Sequence, residues 1–564
     1  MSSIDPNLLA LQRLYHWESS TPDRVTLTQP LGEGRMQSFT WAQVADEVRR
    51  MATYLQAQGW EPGSRVAILS KNCAWWLMSD LAIWMAGYVS VPLYPTLAPD
   101  TVRHILTHSE AKACFVGKLD GWSHMKPGIP SGLPCIAYPV SPADAVASYP
   151  GWDALCSSNS PMPGQPVRAA EELATLIYTS GTTGMPKGVM HSFGNFGWAF
   201  DKALGRVPMD GNDRMLSYLP LAHVVERVLV EHGWLHTGMP LFFAESLETF
   251  TSDVQRARPT IFFSVPRLWV KFQHGVHHKL PPAKLNLLLS LPLIGGLIRK
   301  KVLRALGLDQ CRMAAGGAAP MPVELLQWFR RLGLPINEGY GMTENLAVSH
   351  LTVPGQDQTG TVGPCYEGVQ VRIAEPSGEI QMRSGALMLG YYKDPIQTRE
   401  AMTEDGWLRT GDKGQIDAQG CLRVTGRVKD LFKTSKGKYV APAPIEDRLV
   451  MHDSVEACVV TGANLGQPLG IVMLAPDAVE RCTDAAARAE LESSLAQHLK
   501  AVNAPLDPHE RLQCLVVVTT AWTVDNDVIT PTFKVKRNRI EDLYATHYAR
   551  WEASGKPVIW QSAA

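Results

Sequence analysis

The sequence predicts an α/β protein with a large N-terminal domain of βαβ subdomains plus a β-barrel-like subdomain, followed by a small mobile α+β C-terminal domain. From about residue 40, helix-period segments such as 39–58 alternate with β-branched runs such as 65–70, which is typical of parallel sheets. Glycines separate short strands between residues 360 and 425, as in a barrel. After residue 427 the chain has its own strands and helices, so we predict domains of residues 1–427 and 428–564.

Composition favours a large globular protein. The 564 residues allow about three to five units at ~100–200 residues each, and 45 % hydrophobic with 19 % charged residues is far from the composition of disordered chains. The net charge of -1 gives no overall attraction to nucleic acid, so we predict no nucleic-acid partner.

Cysteines and apolar segments indicate the compartment. The ten cysteines form no CxxC pair, and the first 20 residues contain no apolar core typical of a secretory signal. The longest apolar stretch is shorter than the ~20 residues that a membrane-spanning helix needs. We therefore expect free thiols and a cytoplasmic protein.

The segment 176–191, LIYTSGTTGMPKGVMH, is an apolar strand that runs into a loop rich in glycine and hydroxyl residues. Glycine allows backbone N–H groups to approach phosphate oxygens, hydroxyls add donors, and lysine adds positive charge. The GxxxxGK[ST] pattern of P-loop NTPases is absent, and a flexible turn is the alternative interpretation. The candidate phosphate-binding residues are Thr179, Ser180, Gly181, Thr182, Thr183, Gly184 and Lys187.

Residues 179–188 resemble the signature of the adenylate-forming (AMP-binding) superfamily, which includes acyl-CoA synthetases. The segment NEGYGMTE, 337–344, resembles a second motif of that family. The resemblance implies that Tyr340 stacks on adenine, Thr343 contacts the α-phosphate, and Glu344 holds magnesium together with Thr183. Magnesium prefers one or two carboxylates plus phosphate oxygens, so this assignment is chemically reasonable.

Further motifs follow in the order of that family. The segment AAGGAAP, 314–320, resembles a glycine-rich strand end at the adenine pocket, which implies nucleotide contacts at Gly316 and Gly317. GWLRTGD and GRVK resemble the motifs that bind ribose, which implies ribose contacts at Asp412 and Arg427 and a domain hinge at Lys429.

The last motif is TPTFKVKR, residues 530–537, which resembles the segment carrying the catalytic lysine of the family. The resemblance assigns that role to Lys534. The usual glycine before this lysine is Phe533 here, as in long-chain members, so Lys536 remains the alternative register.

Three segments resemble long-chain fatty acyl-CoA synthetases in particular: 217–227, 259–272 and 433–446. The first contains His223, which the resemblance places near the acyl site with a catalytic role. A structural, hydrogen-bonded histidine is the alternative. His274, His277 and His278 have no acidic or cysteine partner at metal-ligand spacing, so we predict surface histidines.

Residues 279–301 form an apolar stretch flanked by basic residues. It is too short to span a bilayer, but it could lie in a membrane interface, which would place the protein peripherally on a membrane. An ordinary buried helix pair is the alternative.

Together the resemblance implies an enzyme that uses ATP, Mg²⁺ and CoA to convert a fatty acid, through an acyl-adenylate, into acyl-CoA, AMP and pyrophosphate. The alternatives are an acyl-AMP ligase that loads an acyl carrier protein, a CoA ligase for a medium-chain or aromatic acid, and a non-catalytic binding relative. A non-catalytic relative should lack a charged site residue, yet the lysines, arginine and carboxylates of every motif are present.

Overall fold

The computed structural model describes residues 4–179, 185–292, 294–530 and 534–561. Its first half alternates strands and helices. The elements are α1 Ala10–Ser20, β1 Val25–Pro30, β2 Met36–Thr40, α2 Trp41–Gln56, β3 Arg65–Leu69, α3 Ala74–Met85, β4 Val89–Leu93, α4 Pro99–His108, β5 Ala113–Val116, α5 Trp122–Met125, β6 Cys135–Ala137, α6 Ala143–Ser148, α7 Trp152–Ser158, β7 Leu173–Thr179, β8 Lys187–Ser192, α8 Phe193–Arg206, β9 Met215–Ser217, α9 Val224–Glu226, α10 Gly233–Thr237, β10 Leu241–Phe243 and α11 Phe250–Ala257.

The second half begins with further strand and helix pairs and ends in a separate unit. Its elements are β11 Ile261–Ser264, α12 Pro266–Lys279, α13 Pro282–Ser290, α14 Ile294–Ala305, β12 Met313–Gly316, α15 Val323–Arg331, β13 Ile336–Tyr340, β14 His350–Leu351, β15 Gln370–Ala374, β16 Glu379–Arg383, β17 Gly390–Tyr391, α16 Pro395–Glu400, β18 Leu408–Ile416, β19 Leu422–Arg427, β20 Phe432–Lys433, β21 Tyr439–Val440, α17 Ala443–Leu449, β22 Val455–Thr461, β23 Leu469–Leu474, α18 Pro476–Arg481, α19 Ala485–Asn503, β24 Leu515–Val518, α20 Arg537–Tyr544, α21 Tyr548–Ala553 and β25 Val558–Gln561.

The main sheet has the strand order β17-β8-β7-β4-β3-β5-β6. Strand β3 pairs in parallel with β4 and β5, so the predicted βαβ arrangement is confirmed. Helix α3 connects β3 to β4, and all of its residues are buried. A helix that is apolar on every side must lie in a core, and the tryptophans of α3 fill this one.

Two smaller sheets complete the α/β part. One has the order β2-β1-β10-β9, and the other has the order β11-β12-β13-β14, in which β11, β12 and β13 are parallel. The carboxyl ends of β12 and β13 therefore meet at one edge, where ligands commonly bind in sheets of this kind.

The predicted β subdomain is an antiparallel sheet with the order β15-β16-β18-β19. Asp412 on β18 pairs directly with Arg427 on β19, so these two residues share one position of the ladder.

The C-terminal unit is an α+β layer structure around the sheet β22-β23-β24-β25. Helices α17 and α19 pack on one face, and α20 and α21 pack on the other. Successive strand residues alternate between the two apolar clusters, as the period of a β-strand requires.

Helix α12 carries contacts between this unit and the rest of the chain. His274 Nε2 lies 2.8 Å from Asp453 Oδ1, and Arg267 pairs with Glu456. Met451 packs against the cluster that includes α12. His274 thus has an acidic partner far away in the sequence, which corrects the prediction of a plain surface histidine. Among the described residues, no group of three or more His, Cys, Asp and Glu residues could hold a metal ion.

Helices α13 and α14 form an exposed hairpin within 279–301 and a few residues beyond. Leu285 is buried, but Leu287 and Leu297 are 62 % and 70 % exposed. An ordinary buried helix pair is therefore wrong. In the part of the chain that the structure describes, no helix is long and apolar enough to cross a membrane.

The ion pairs on α12 predict that loss of their acidic partners loosens the docking of the C-terminal unit. The double variant Asp453→Asn, Glu456→Gln removes both acidic partners, so small-angle X-ray scattering should show a larger radius of gyration. The matched control is Glu480→Gln, the same chemical change at an exposed position of α18. An unchanged radius in the double variant would contradict a docking role for these pairs.

Candidate active site

A cavity of 2020 Å³ lies between the sheet edges of the N-terminal part and the C-terminal unit. Single ligand pockets usually measure about 300–1,000 Å³, so this one has room for several co-substrates. Ser180, Gly181, Thr182, Thr183 and Gly184 lie outside the described residues. The other predicted site residues all line the cavity: Thr179, Lys187, His223, Gly316, Gly317, Tyr340, Thr343, Glu344, Asp412, Arg427, Lys429 and Lys534.

The polar end of the cavity centres on Asp412. The Tyr340 hydroxyl donates to Asp412 Oδ2 at 2.7 Å, and Arg427 Nε donates to Asp412 Oδ1 at 3.2 Å. Burial and the neighbouring carboxylate raise the pKa of Tyr340 well above its usual value, so this hydroxyl keeps its proton. A fixed carboxylate beside an arginine suits a ligand that carries hydroxyl groups.

Glycine is required at the carboxyl end of β12. A Cβ added to Gly317 would lie 2.9 Å from the backbone oxygen of Gly339, so a larger residue would push β12 away from β13. Glycine at positions 317 and 339 lets the ends of β12 and β13 stay close together beside Tyr340. Neither position projects a side chain into the cavity.

Thr343 and Glu344 lie on a short 3₁₀ turn that two side chains of the main sheet hold in place. His191 Nε2 lies 2.7 Å from the Thr343 backbone oxygen, and the Tyr391 hydroxyl donates to Glu344 Oε1 at 2.8 Å. Burial lowers the pKa of His191 to about 4, so it is a neutral donor at neutral pH. Neither His191 nor Tyr391 was identified from the sequence, because the segments that contain them, HSF and GYYKD, have no pattern that predicts a contact with a distant part of the chain.

Lys534 lies where the C-terminal unit meets the cavity. Its side chain is exposed and lines the cavity, where it is within electrostatic range of Arg427, Asp412 and Glu344. Burial by the surrounding protein and then Arg427 lower the pKa of Lys534, whereas the two carboxylates oppose this change. Lys536, the alternative register, is instead paired with Asp527.

His223 lies at the start of α9 and also faces Lys534. Its Nδ1 accepts a hydrogen bond from the Val225 N–H at 3.3 Å. Burial and then Lys534 lower the pKa of His223 to about 4, so the ring is neutral and carries its proton on Nε2. This ring can donate one hydrogen bond to a group in the cavity.

The loop that leads to His223 is braced from behind by two residues that sequence reasoning missed. Asn72 Nδ2 donates to Ser217 Oγ at 2.7 Å and to the Leu219 oxygen at 2.6 Å. Glu226 Oε1 accepts from Ser217 Oγ at 2.9 Å and from the Tyr218 N–H at 3.0 Å. Burial raises the pKa of Glu226 to about 8.

Part of the cavity lining is apolar, and we call the space beside it the apolar arm. Its lining includes the side chains Val207, Met209, Met215, Val228, Leu229 and Met313. An arm with this lining suits a hydrocarbon group.

Arg227 fixes one wall of that arm. It is fully buried in a π-helical turn, Arg227–His232, and pairs with Asp80 at 2.5 Å and with Glu231 at 2.6 Å. Burial raises the pKa of both carboxyls that Arg227 contacts, that of Glu231 well above its usual value, and the positive charge of Arg227 opposes this change. Irregular turns of this kind are common at functional sites.

Family models match most of the chain. The model described as AMP-binding enzyme matches residues 14–392, and that described as AMP-binding enzyme C-terminal domain matches residues 429–550.

Relatives with a described activity match along nearly the whole length. Long-chain-fatty-acid–CoA ligase FadD15 of Mycobacterium tuberculosis is 29 % identical over 585 residues, with 94 % of this chain and 95 % of that protein covered. Long-chain-fatty-acid–CoA ligase 1 of Homo sapiens is 29 % identical over 587 residues, with coverages of 90 % and 83 %.

Solved structures share the fold. The adenylation domain of a carboxylate reductase from Mycobacterium chelonae superposes with a TM-score of 0.82 at 21 % identity, covering 98 % of this chain and 92 % of that one. An anthranilate CoA ligase in complex with anthranoyl-AMP gives a TM-score of 0.75 at 20 % identity, with coverages of 96 % and 98 %.

The Glu226 brace predicts a pH effect on stability. Its pKa is about 8 in the folded protein against an ordinary 4.5, so its contribution to the free energy of unfolding is complete below pH 4.5 and is lost as the pH rises through 8. The free energy of unfolding relative to Glu226→Gln, measured with urea, should therefore decline over that range. The same difference for Glu490→Gln, an exposed position on α19, should stay flat. A flat Glu226 curve would contradict the buried, protonated carboxyl.

Proposed function

The chain belongs to the AMP-binding enzyme family, and from this premise we propose that it is an AMP-forming long-chain fatty acid:CoA ligase. The enzyme joins a fatty acid to the AMP part of ATP with release of pyrophosphate, and then transfers the acyl group to CoA with release of AMP. The two long-chain-fatty-acid–CoA ligases that match along nearly the whole chain support this substrate class.

One observation carries the proposal: a single cavity joins the polar residues of the family motifs to an apolar arm. Tyr340, Asp412 and Arg427 are suited to hold the nucleoside, and Thr179 and Lys187 line the side on which phosphates would lie. The apolar arm would take the hydrocarbon chain, with the carboxylate near His223 and Thr343.

In the first half-reaction a carboxylate oxygen of the acid attacks the α-phosphorus, and the bond to pyrophosphate breaks. Negative charge increases on the transferring phosphoryl group, and we assign its stabilisation to Lys534, which lines the cavity. The backbone around Thr343 and the neutral His223 ring orient the reacting oxygens. Much of the rate increase in such transfers comes from positioning and electrostatic stabilisation.

The residues present fit Mg²⁺. Glu344 is 9 % exposed, lines the cavity, and is oriented by the hydrogen bond from Tyr391 to one of its oxygens. A single carboxylate plus phosphate oxygens and water is a set that Mg²⁺ accepts, and Thr183 is the second residue that we assign to it. Bound there, Mg²⁺ would neutralise phosphate charge. Glu344 would hold the ion in place, and the other residues would act on the substrates directly.

In the second half-reaction the CoA thiol attacks the acyl carbon and AMP leaves. We assign the hinge between the two domains to Lys429, which lies two residues after the end of β19 and lines the cavity. Rotation there would move Lys534 out and bring another face of residues 428–564 to the same cavity, as in other enzymes that run two steps in one site.

The hairpin α13–α14 would bind a membrane surface from which a long-chain acid is drawn. Residues 279–305 contain six basic and no acidic residues, and leucines project into solvent between them. Exposed apolar side chains with flanking bases suit an anionic bilayer. All ten cysteines are free, which fits a reducing compartment, and we assign the protein to the cytoplasm with peripheral membrane contact.

The proposal is tested by incubating the protein with ATP, Mg²⁺, CoA and an equimolar mixture of acids from acetate to oleate plus benzoate. Mass spectrometry should find AMP and thioesters of the long acids. Thioesters of medium-chain or aromatic acids alone would overturn the substrate class. Acyl-adenylate without a thioester would instead indicate transfer to a carrier protein.

Lys534→Ala should lower adenylate formation, measured by pyrophosphate exchange into ATP, by about 100-fold or more, because a preorganised charge at the phosphoryl group is lost. Thioester formation from supplied acyl-adenylate should be retained. Lys536→Ala is the matched control, since Lys536 is paired with Asp527, and its pyrophosphate exchange should stay near wild type. Equal loss of both half-reactions in Lys534→Ala would refute the role.

If the hairpin α13–α14 binds membranes, the protein should float together with phosphatidylglycerol-containing vesicles, and this flotation should depend on the hairpin. Leu287→Glu with Leu297→Glu should abolish flotation, because carboxylates would replace apolar groups at an anionic surface. Leu247→Glu changes a leucine that is 84 % exposed elsewhere and should float like wild type. Flotation of the hairpin variant at wild-type levels would argue against this surface.

A further inference from the structure

Tyr391 links the two charged groups that flank the phosphate side of the cavity. Its hydroxyl donates to Glu344 Oε1 at 2.8 Å, and the Lys187 amine lies 5.2 Å from the centre of its ring. All three side chains line the cavity. A tyrosine in this position orients a carboxylate through its edge and attracts a cation through its face.

The backbone fixes Tyr391 firmly. Strand β17 pairs with β8, so Tyr391 lies opposite Val189, and its N–H donates to Thr398 Oγ1 at 2.9 Å. Gly390 has φ +140°, and a Cβ there would lie 2.9 Å from Thr398, so only glycine allows this approach. The Met388 N–H donates to the Glu344 backbone oxygen at 2.8 Å, which ties the same segment to the main chain of Glu344.

We propose that Tyr391 is a positioning residue that holds Glu344 in the orientation needed to bind Mg²⁺ with the nucleotide phosphates, and that holds Lys187 beside them. The inference rests on the proposed function, because it assumes that Glu344 meets Mg²⁺. One oxygen of the Glu344 carboxylate accepts the hydrogen bond that the Tyr391 hydroxyl donates. That hydrogen bond restricts the carboxylate to an orientation in which its other oxygen is available to the cation.

Tyr392 provides a matched control. It is the adjacent residue of the same type, but its ring packs against His108 with centroids 5.7 Å apart and lies under the Arg65 guanidinium at 5.8 Å. A phenylalanine at either position keeps the ring and removes only the hydroxyl. Thermal unfolding of both variants checks that the fold is retained.

The experiment is calorimetric titration with an ATP analogue that has a methylene bridge between the α- and β-phosphorus atoms, with Mg²⁺ and with EDTA. Loss of a hydrogen bond to a charged group should weaken Mg²⁺-dependent binding about tenfold in Tyr391→Phe. Binding in EDTA should be unchanged, and Tyr392→Phe should behave as wild type. In a Glu344→Gln background, Tyr391→Phe should add no further loss.

Two results would overturn the inference. The first is an increase in analogue affinity on adding Mg²⁺ that is as large in Tyr391→Phe as in the wild-type protein. The second is a loss of affinity in the Tyr391→Phe, Glu344→Gln double variant that equals the sum of the two single losses. The titration needs neither acid nor CoA, so it is separate from tests of acyl and acceptor specificity. Failure of the wild-type protein to bind the analogue would instead overturn the proposed function, and this inference with it.

Discussion

The active site that we propose depends on holding one ammonium group, from Lys534 of the C-terminal unit, in the same cavity as the carboxylates of the N-terminal domain. Enclosing an ammonium in protein is unfavourable, and Arg427 makes it more so. Asp412 and Glu344 offset that cost, and both are held by tyrosine hydroxyls. The docking contacts on α12 then hold the unit that carries the lysine.

This arrangement has a consequence for catalysis. Under the proposed mechanism, movement of the C-terminal unit would withdraw Lys534 from the cavity. Tyr340, Asp412 and Arg427, which we assign to the nucleoside, lie on β13, β18 and β19 and would stay behind. Buried side chains also hold the part of the site that belongs to the N-terminal domain. Asn72 and Glu226 brace the loop to His223, and Arg227 with Asp80 fixes the wall of the apolar arm.

The fold class was predictable because its signals are local. Strand and helix periodicity predicts the parallel sheet, and α3 is apolar apart from Ser79 and Asp80, so it must lie in a core. The candidate site residues could be named because each motif is a short run of sequence, and those that the structure describes all line one cavity. Tyr391, His191 and Asn72 were not found, because each acts on a partner far away in the chain and its own segment has no chemical pattern. The docking of His274 on Asp453 depends on how two folded units meet, which periodicity does not encode.

The most direct measurement of the central claim, that the acid is joined to AMP in this cavity, uses a fatty acid labelled with oxygen-18 in its carboxylate. Attack of that carboxylate on the α-phosphorus makes one labelled oxygen the bridge to AMP, and later attack of the thiol on the acyl carbon leaves it there. Mass spectrometry should therefore find one oxygen-18 atom in the released AMP and none in pyrophosphate. Label in an inorganic phosphate, or AMP without label, would contradict the account.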